Sequence, residues 1–195
     1  KDKKIGGVSG RPVAMNDRKN YFGYLANMNA DAAHTMRMNN QKAHVKFFPL
    51  SGYAMAIRNL KFHFPEDLFL DDAYLTYDIY NNGYQIGYAE NARVEVKYAD
   101  NWKDFQLQKL RSHMGFEQLW KYEVIKPETK TRSFWQEVRF AWYPISYVRN
   151  IKELIWSTSY YPIRLYFWIR TRLRRDVVLK ARSIRDVYVR TESTK

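Results

Sequence analysis

A chain of 195 residues with 46% hydrophobic side chains holds enough apolar material for one domain-sized core, and its 33 Lys and Arg against 20 Asp and Glu leave a net charge of +13. That excess points to polyanionic partners, whether nucleic acid, an anionic membrane surface or acidic protein faces. The lack of cysteine excludes disulfides, thiolate nucleophiles and cysteine-ligated zinc or iron–sulfur centres.

The charge is uneven: residues 1–100 hold 13 basic and 11 acidic side chains, and residues 101–195 hold 20 and 9. The polyanion-facing part is therefore expected in the second half. Sixteen Tyr, 11 Phe and 6 Trp favour amphipathic contact surfaces, where rings pack flat and polar tips stay wet. No Asn-x-Ser/Thr sequon occurs, and the start at Lys1 rather than Met reads as a removed leader or a trimmed start.

Residues 1–25 are expected to form an extended basic arm, because Gly6, Gly7, Gly10 and Pro12 interrupt any period and Lys1, Lys3, Lys4, Arg11, Arg18 and Lys19 keep it wet. The run Ile5-Gly6-Gly7-Val8-Ser9-Gly10 lacks the Gly-Lys-Ser/Thr that completes a phosphate cradle. A short, weakly amphipathic helix is expected over 29–44, followed by an extended link at Phe47-Phe48-Pro49. Pro65 ahead of Glu66 and Asp67 predicts a helix first turn, in which Glu66, Asp67, Asp71 and Asp72 complement the dipole rather than hold a metal.

Leu75, Tyr77 and Ile79 alternate with polar residues, Asn82-Gly83 comes next, and Tyr84, Ile86 and Tyr88 resume the alternation, which predicts a hairpin. Val94, Val96 and Tyr98 supply a third strand across a loop near Asn91. The expectation is a small three-stranded antiparallel meander over 73–98 with these nine apolar residues on one buried face. Asp100 is the expected cap of a helix over 101–124 that covers the sheet, with Gly115 as a break.

A polar linker around Pro127 then leads to a different composition. Ser133-Phe134-Trp135-Gln136 has capping-box spacing, and Pro144 and Pro162 are expected to cut the chain beyond it into three helical pieces. The whole reads as an α+β protein: an arm over 1–25, a small α+β domain over 26–126, and a basic, aromatic helical extension over 127–195.

Catalytic constellations are missing from the sequence. The histidines at 34, 44, 63 and 113 lack helical metal-site spacing, and Gly-x-Ser-x-Gly, Walker A, His-Glu-x-x-His and Rossmann glycine patterns are absent. The chain is expected to be no enzyme, to act on no small-molecule substrate and to hold no metal, nucleotide or covalent cofactor. An acid/base pair assembled in space is the weakest of the competing readings.

The informative segment runs from Phe134 to Arg175 and includes Trp156, Trp168 and Tyr166. From about Ile163, Leu165, Tyr166, Ile169, Leu173 and Val177 fall on one stripe, Arg164, Arg172 and Arg175 opposite it, and Arg170 and Arg174 on a flank. At a membrane surface the stripe enters the acyl boundary while Arg and the rings stay at headgroup depth. Against RNA the arginines neutralise phosphates and the rings stack on bases. A third reading has the stripe fill the protein's own core. Leu154 to Ile169 is too short and too polar for a conventional span.

The dominance of bulky apolar residues favours the membrane. The expected function is a non-catalytic accessory subunit of a large membrane-associated assembly, a respiratory-chain or ATP synthase complex at the mitochondrial inner membrane, which contacts neighbouring subunits and anionic phospholipid. The alternative is a ribosomal or mitoribosomal protein that binds rRNA through its arm and tail.

Overall fold

The computed structural model describes residues 2–45, 47–126 and 140–173, without the side chains of 171 and 172. The elements within them are β1 (Ile5–Ala14), α1 (Tyr21–Lys42), β2 (Met55–Ile57), α2 (Asp71–Asn81), β3 (Gln85–Val96), α3 (Trp102–Lys121), α4 (Tyr143–Ser146) and α5 (Ile151–Leu173). The α+β class fits, but the sheet is no antiparallel meander. Its order is β2-β1-β3, with β1 antiparallel to β2 and parallel to β3.

The segment expected to be a wet arm is thus the central strand. Its glycines follow from close packing rather than disorder, since a Cβ on Gly6 would stand 2.7 Å from both Ile79 Cγ2 and Tyr84 Cβ. Past the strand, Asn16 Nδ2 donates to Tyr98 O at 2.9 Å and Asn16 Oδ1 accepts from Tyr98 N at 2.8 Å, which fixes β1 against the end of β3. Asn20 then caps α1 through Gly23 N, so that helix starts well before residue 29.

The expected first strand, Leu75 to Ile79, lies within helix α2. Its alternation arises because α2 is buried on two sides: Leu75 and Ile79 pack with Phe48, Leu50, Ile86 and Tyr88, whereas Ala73 and Tyr77 pack with Leu119 and Ile125. Asn82-Gly83 ends this helix instead of turning a hairpin. Gly83 adopts φ +83, and Tyr84 N donates back to Ile79 O, the bond of a left-handed helix stop. The expected second and third strands are one strand, β3, which steps from Ser9↔Tyr88 to Arg11↔Arg93, so the loop near Asn91 is a wide bulge. Ile86, Tyr88 and Val96 are buried, and Arg93 and Glu95 are exposed.

Other expectations shift as well. The first turn of α2 holds Asp71 and Asp72 but starts after Glu66 and Asp67, and Asp67 instead accepts from Tyr122 Oη and Gln118. Asn101, not Asp100, caps α3 through Asp104 N at 2.9 Å. Gly115 does not break α3; it leaves room for Leu70. The capping-box serine, Ser133, lies outside the described residues. Pro144 sits in the first turn of α4, and α5 runs unbroken through Pro162.

Candidate membrane- and partner-facing surface

α5 is fixed at its start by charge. Asn150 Oδ1 accepts from Glu153 N, and Arg18 grips Glu153 with two bonds, Nε to Oε1 at 2.9 Å and Nη2 to Oε2 at 2.8 Å. Hydrogen bonding to Arg18 draws Glu153 below the usual carboxylate range and raises Arg18 in return. Arg18 also stacks 4.2 Å from the Tyr147 ring centre and donates to Tyr147 O.

The inner seam of α5 is polar and specific. Tyr24 Oη donates to Ser157 Oγ at 2.6 Å, and Ser157 donates on to Pro144 O at 2.7 Å. Tyr21 meets Ser159 at 2.8 Å, and Tyr160 Oη donates to Asn29 Oδ1 at 2.7 Å. The serines that make the segment a poor transmembrane span are the ones that bind it to α1. Farther along, Phe167 packs against Phe105 in a cluster that includes Tyr24, Met28 and Tyr160. Nearby, burial and the bond to Asp31 push the Tyr143 hydroxyl up to about 12.

The opposite face has no partner among the described residues. Successive steps of α5 bring Ile151, Ile155, Thr158, Pro162, Leu165, Ile169 and Leu173 onto one line along its 23 residues. Ile151 and Leu173 are each 79% exposed, Leu165 is 60% and Ile169 is 50% exposed. This line contains no charge. Trp142 and Ile145 at α4 are also exposed.

Of the residues singled out in the sequence, Leu165, Tyr166, Ile169 and Leu173 do share the outward side, and Trp168 is exposed beside them. Trp156 instead packs inward on Tyr21 and Tyr24, with ring centres 5.9 and 5.5 Å apart. Arg164 lies over the Tyr160 ring, 5.6 Å from its centre. Arg170 donates to Tyr166 Oη at 2.8 Å and to Gln106 Oε1 at 3.3 Å. Arg172 belongs to the last turn of α5, and Arg174, Arg175 and Val177 lie outside the described residues. Sequence reasoning missed Ile151 and Ile155. Their signal was present, since the 3.6-residue period that joins Leu165 to Leu173 extends back to Ile151 once Pro162 is allowed inside the helix.

No described helix is long and apolar enough to cross a membrane, and the described residues contain no group of three or more His, Asp or Glu arranged to hold a metal. The chain matches no known family model and no curated protein sequence.

Proposed function

We propose that this chain is a non-catalytic accessory subunit of a large membrane-associated assembly, and that the outer face of α5 is its docking surface. The observation that supports this most is the uncharged apolar line from Ile151 to Leu173 on a helix whose opposite side packs inward through Ser157, Tyr160 and Phe167. A stripe of this kind about 33 Å long, at 1.5 Å per residue, suits a helix lying in a membrane interface or along a hydrophobic partner helix. The net charge of +13 favours a surface rich in anionic phospholipid, as on the matrix side of the mitochondrial inner membrane, and respiratory-chain or ATP synthase subunits as neighbours.

Binding to rRNA draws less support. Such binding needs arginines turned outward beside exposed rings, and two of the arginines it would use, Arg164 and Arg170, are engaged with Tyr160, Gln106 and Tyr166 of this chain. Fractionation of the endogenous protein tests the proposal. Sedimentation with membranes, released by detergent and untouched by nuclease, is expected; release by nuclease alone would assign the chain to a ribonucleoprotein.

A further inference from the structure

The sheet leaves a long edge open. Its order puts β3 at a border, with β1 on one side, and among the described residues no strand pairs with the other side. Such an edge is a row of unpaired N–H and C=O groups, a template for another strand. The bulge between Tyr88 and Arg93 blunts the first half of β3. Beyond the bulge the ladder to β1 is regular, with Pro12↔Val94, Val13↔Glu95 and Ala14↔Val96.

The inward bonds of this half determine what faces out. Val96 O accepts from Met15 N at 3.0 Å, and Asn16 takes both backbone groups of Tyr98. Backbone groups alternate sides along a strand, so Val94, Val96 and Tyr98 turn toward β1, while Arg93, Glu95 and Lys97 turn to the open edge. Outside the ladder to β1, no described residue hydrogen-bonds to the backbone of Arg93 or Glu95. Both side chains are exposed, and neither is ion-paired among the described residues.

A second copy of this chain fits this edge in one register. Two β3 strands related by a twofold axis run antiparallel, and outward residues must then face outward residues. With the axis at Val94, Arg93 stands opposite Glu95 of the second copy and Glu95 opposite its Arg93. On the other face, half-buried Val94 meets its equivalent and exposed Ala92 meets Val96. An axis at Arg93 sets that arginine against itself, and an axis at Glu95 sets Glu95 against itself and Arg93 against Lys97. Like charges directly opposite are unfavourable. An axis at Val96 carries the pairing past the end of β3 and sets Arg93 against Ala99, which is buried.

We propose that two copies of this chain join edge to edge through residues 92–96 of β3, with the twofold axis at Val94, into one sheet of order β2-β1-β3-β3-β1-β2. The contact closes on itself and removes the open edge. It is small and partly charged, so association is reversible and weakened by salt. The outer stripe of α5 takes no part in it.

Sedimentation velocity of the purified full-length protein over a concentration series tests this, and a reversible monomer–dimer equilibrium is expected. Arg93→Glu and Glu95→Arg are each expected to weaken it about tenfold or more, because each turns two opposite-charge contacts into two like-charge ones. Combining Arg93→Glu with Glu95→Arg restores opposite charges across the axis and is expected to restore the dimer. The chain lacks cysteine, so Val94→Cys supplies a single thiol per copy. Across the axis the two Cα atoms would stand about 4.5 Å apart, within disulfide reach, so copper–phenanthroline oxidation is expected to cross-link this variant. Ala92→Cys, with its copies roughly 13 Å apart, is expected not to cross-link. The combined variant Leu165→Ser, Ile169→Ser and Leu173→Ser is expected to dimerise unchanged, so failure of the edge and failure of the docking surface are told apart. A protein monomeric at every concentration, a dimer that withstands both Arg93→Glu and Glu95→Arg, a dimer lost with the three serines, or equal cross-linking of Ala92→Cys and Val94→Cys would overturn the proposal.

Discussion

Replacing Leu165, Ile169 and Leu173 together by Ser probes the docking face without touching the core. These side chains are 60%, 50% and 79% exposed, so their open fractions amount to about two complete side chains. At about 1.5–3 kcal/mol for each fully buried aliphatic side chain, covering them on docking contributes roughly 3–6 kcal/mol. Each 1.4 kcal/mol is tenfold in an equilibrium constant, so the triple variant is expected to lose about 10²- to 10⁴-fold in membrane partitioning. The assay is flotation of purified protein with vesicles of defined anionic lipid content, repeated across salt concentration. Thermal unfolding monitored by circular dichroism confirms that the variant remains folded; a modest loss of stability is expected, since the covered parts of the three side chains and the weaker helix preference of Ser, at about 0.5 kcal/mol per site, both act on the folded chain. Salt alone is expected to weaken the wild type only in part, because the apolar contribution is not screened. A folded triple variant that floats like the wild type, or a wild type stripped completely by salt, would refute this reasoning.

The anchoring of α5 makes its own predictions. Glu153→Gln leaves Arg18 without a counter-charge in a mostly buried site and is expected to cost about 3 kcal/mol in chemical denaturation, near the low end for broken buried pairs because Arg18 keeps some water contact. The Glu153 carboxyl titrates lower in the folded chain than in the unfolded one, so its contribution is complete above the ordinary carboxylate range and is lost as pH falls through the folded value; Glu153→Gln is expected to flatten that acid limb. Gly115→Ala, favourable in an exposed helix, is expected to destabilise by roughly 1–3 kcal/mol because the new Cβ would overlap Leu70, and a rise in melting temperature would contradict the packing described. His34 is held below the ordinary histidine range, first by burial, with Nδ1 2.7 Å from Tyr88 Oη. Stability is therefore expected to be greatest above the unfolded value and to decline as pH falls toward the folded one, and an NMR titration placing His34 above 6.5 would refute this.

The sequence made the mixture of helix and strand legible, along with the buried identity of Leu75, Tyr77, Ile79, Ile86, Tyr88 and Val96, because apolar side chains go inside whichever element holds them. It did not reveal the element. Residues 75–79 alternate because two different neighbours cover α2, a fact that exists only in the folded molecule. Gly6 looked like a break because the side chains that exclude a Cβ there, Ile79 and Tyr84, are more than 70 residues away. Asn82-Gly83 marks a chain reversal either way, and the choice between a hairpin and a helix stop is made by the tertiary packing of α2.

At the surface, Leu165, Ile169 and Leu173 were legible from their 3.6-residue period. Ile151 and Ile155 were not, because Pro162 looked like an end. A proline on the outer face of a helix loses one bond, to the carbonyl of Thr158, on a side where that carbonyl is open to other partners, so α5 continues. The place of Arg164 over the Tyr160 ring is a contact between neighbouring turns that apolar periodicity alone does not rank.

The most direct measurement of the central claim is native purification of the endogenous protein from detergent-solubilised membranes, with quantitative mass spectrometry of the particle. Recovery in fixed stoichiometry with integral subunits of one membrane complex is predicted, unchanged by nuclease and lost when Leu165, Ile169 and Leu173 are replaced by Ser. Recovery with ribosomal proteins and RNA, or as a free monomer indifferent to those three substitutions, would contradict it.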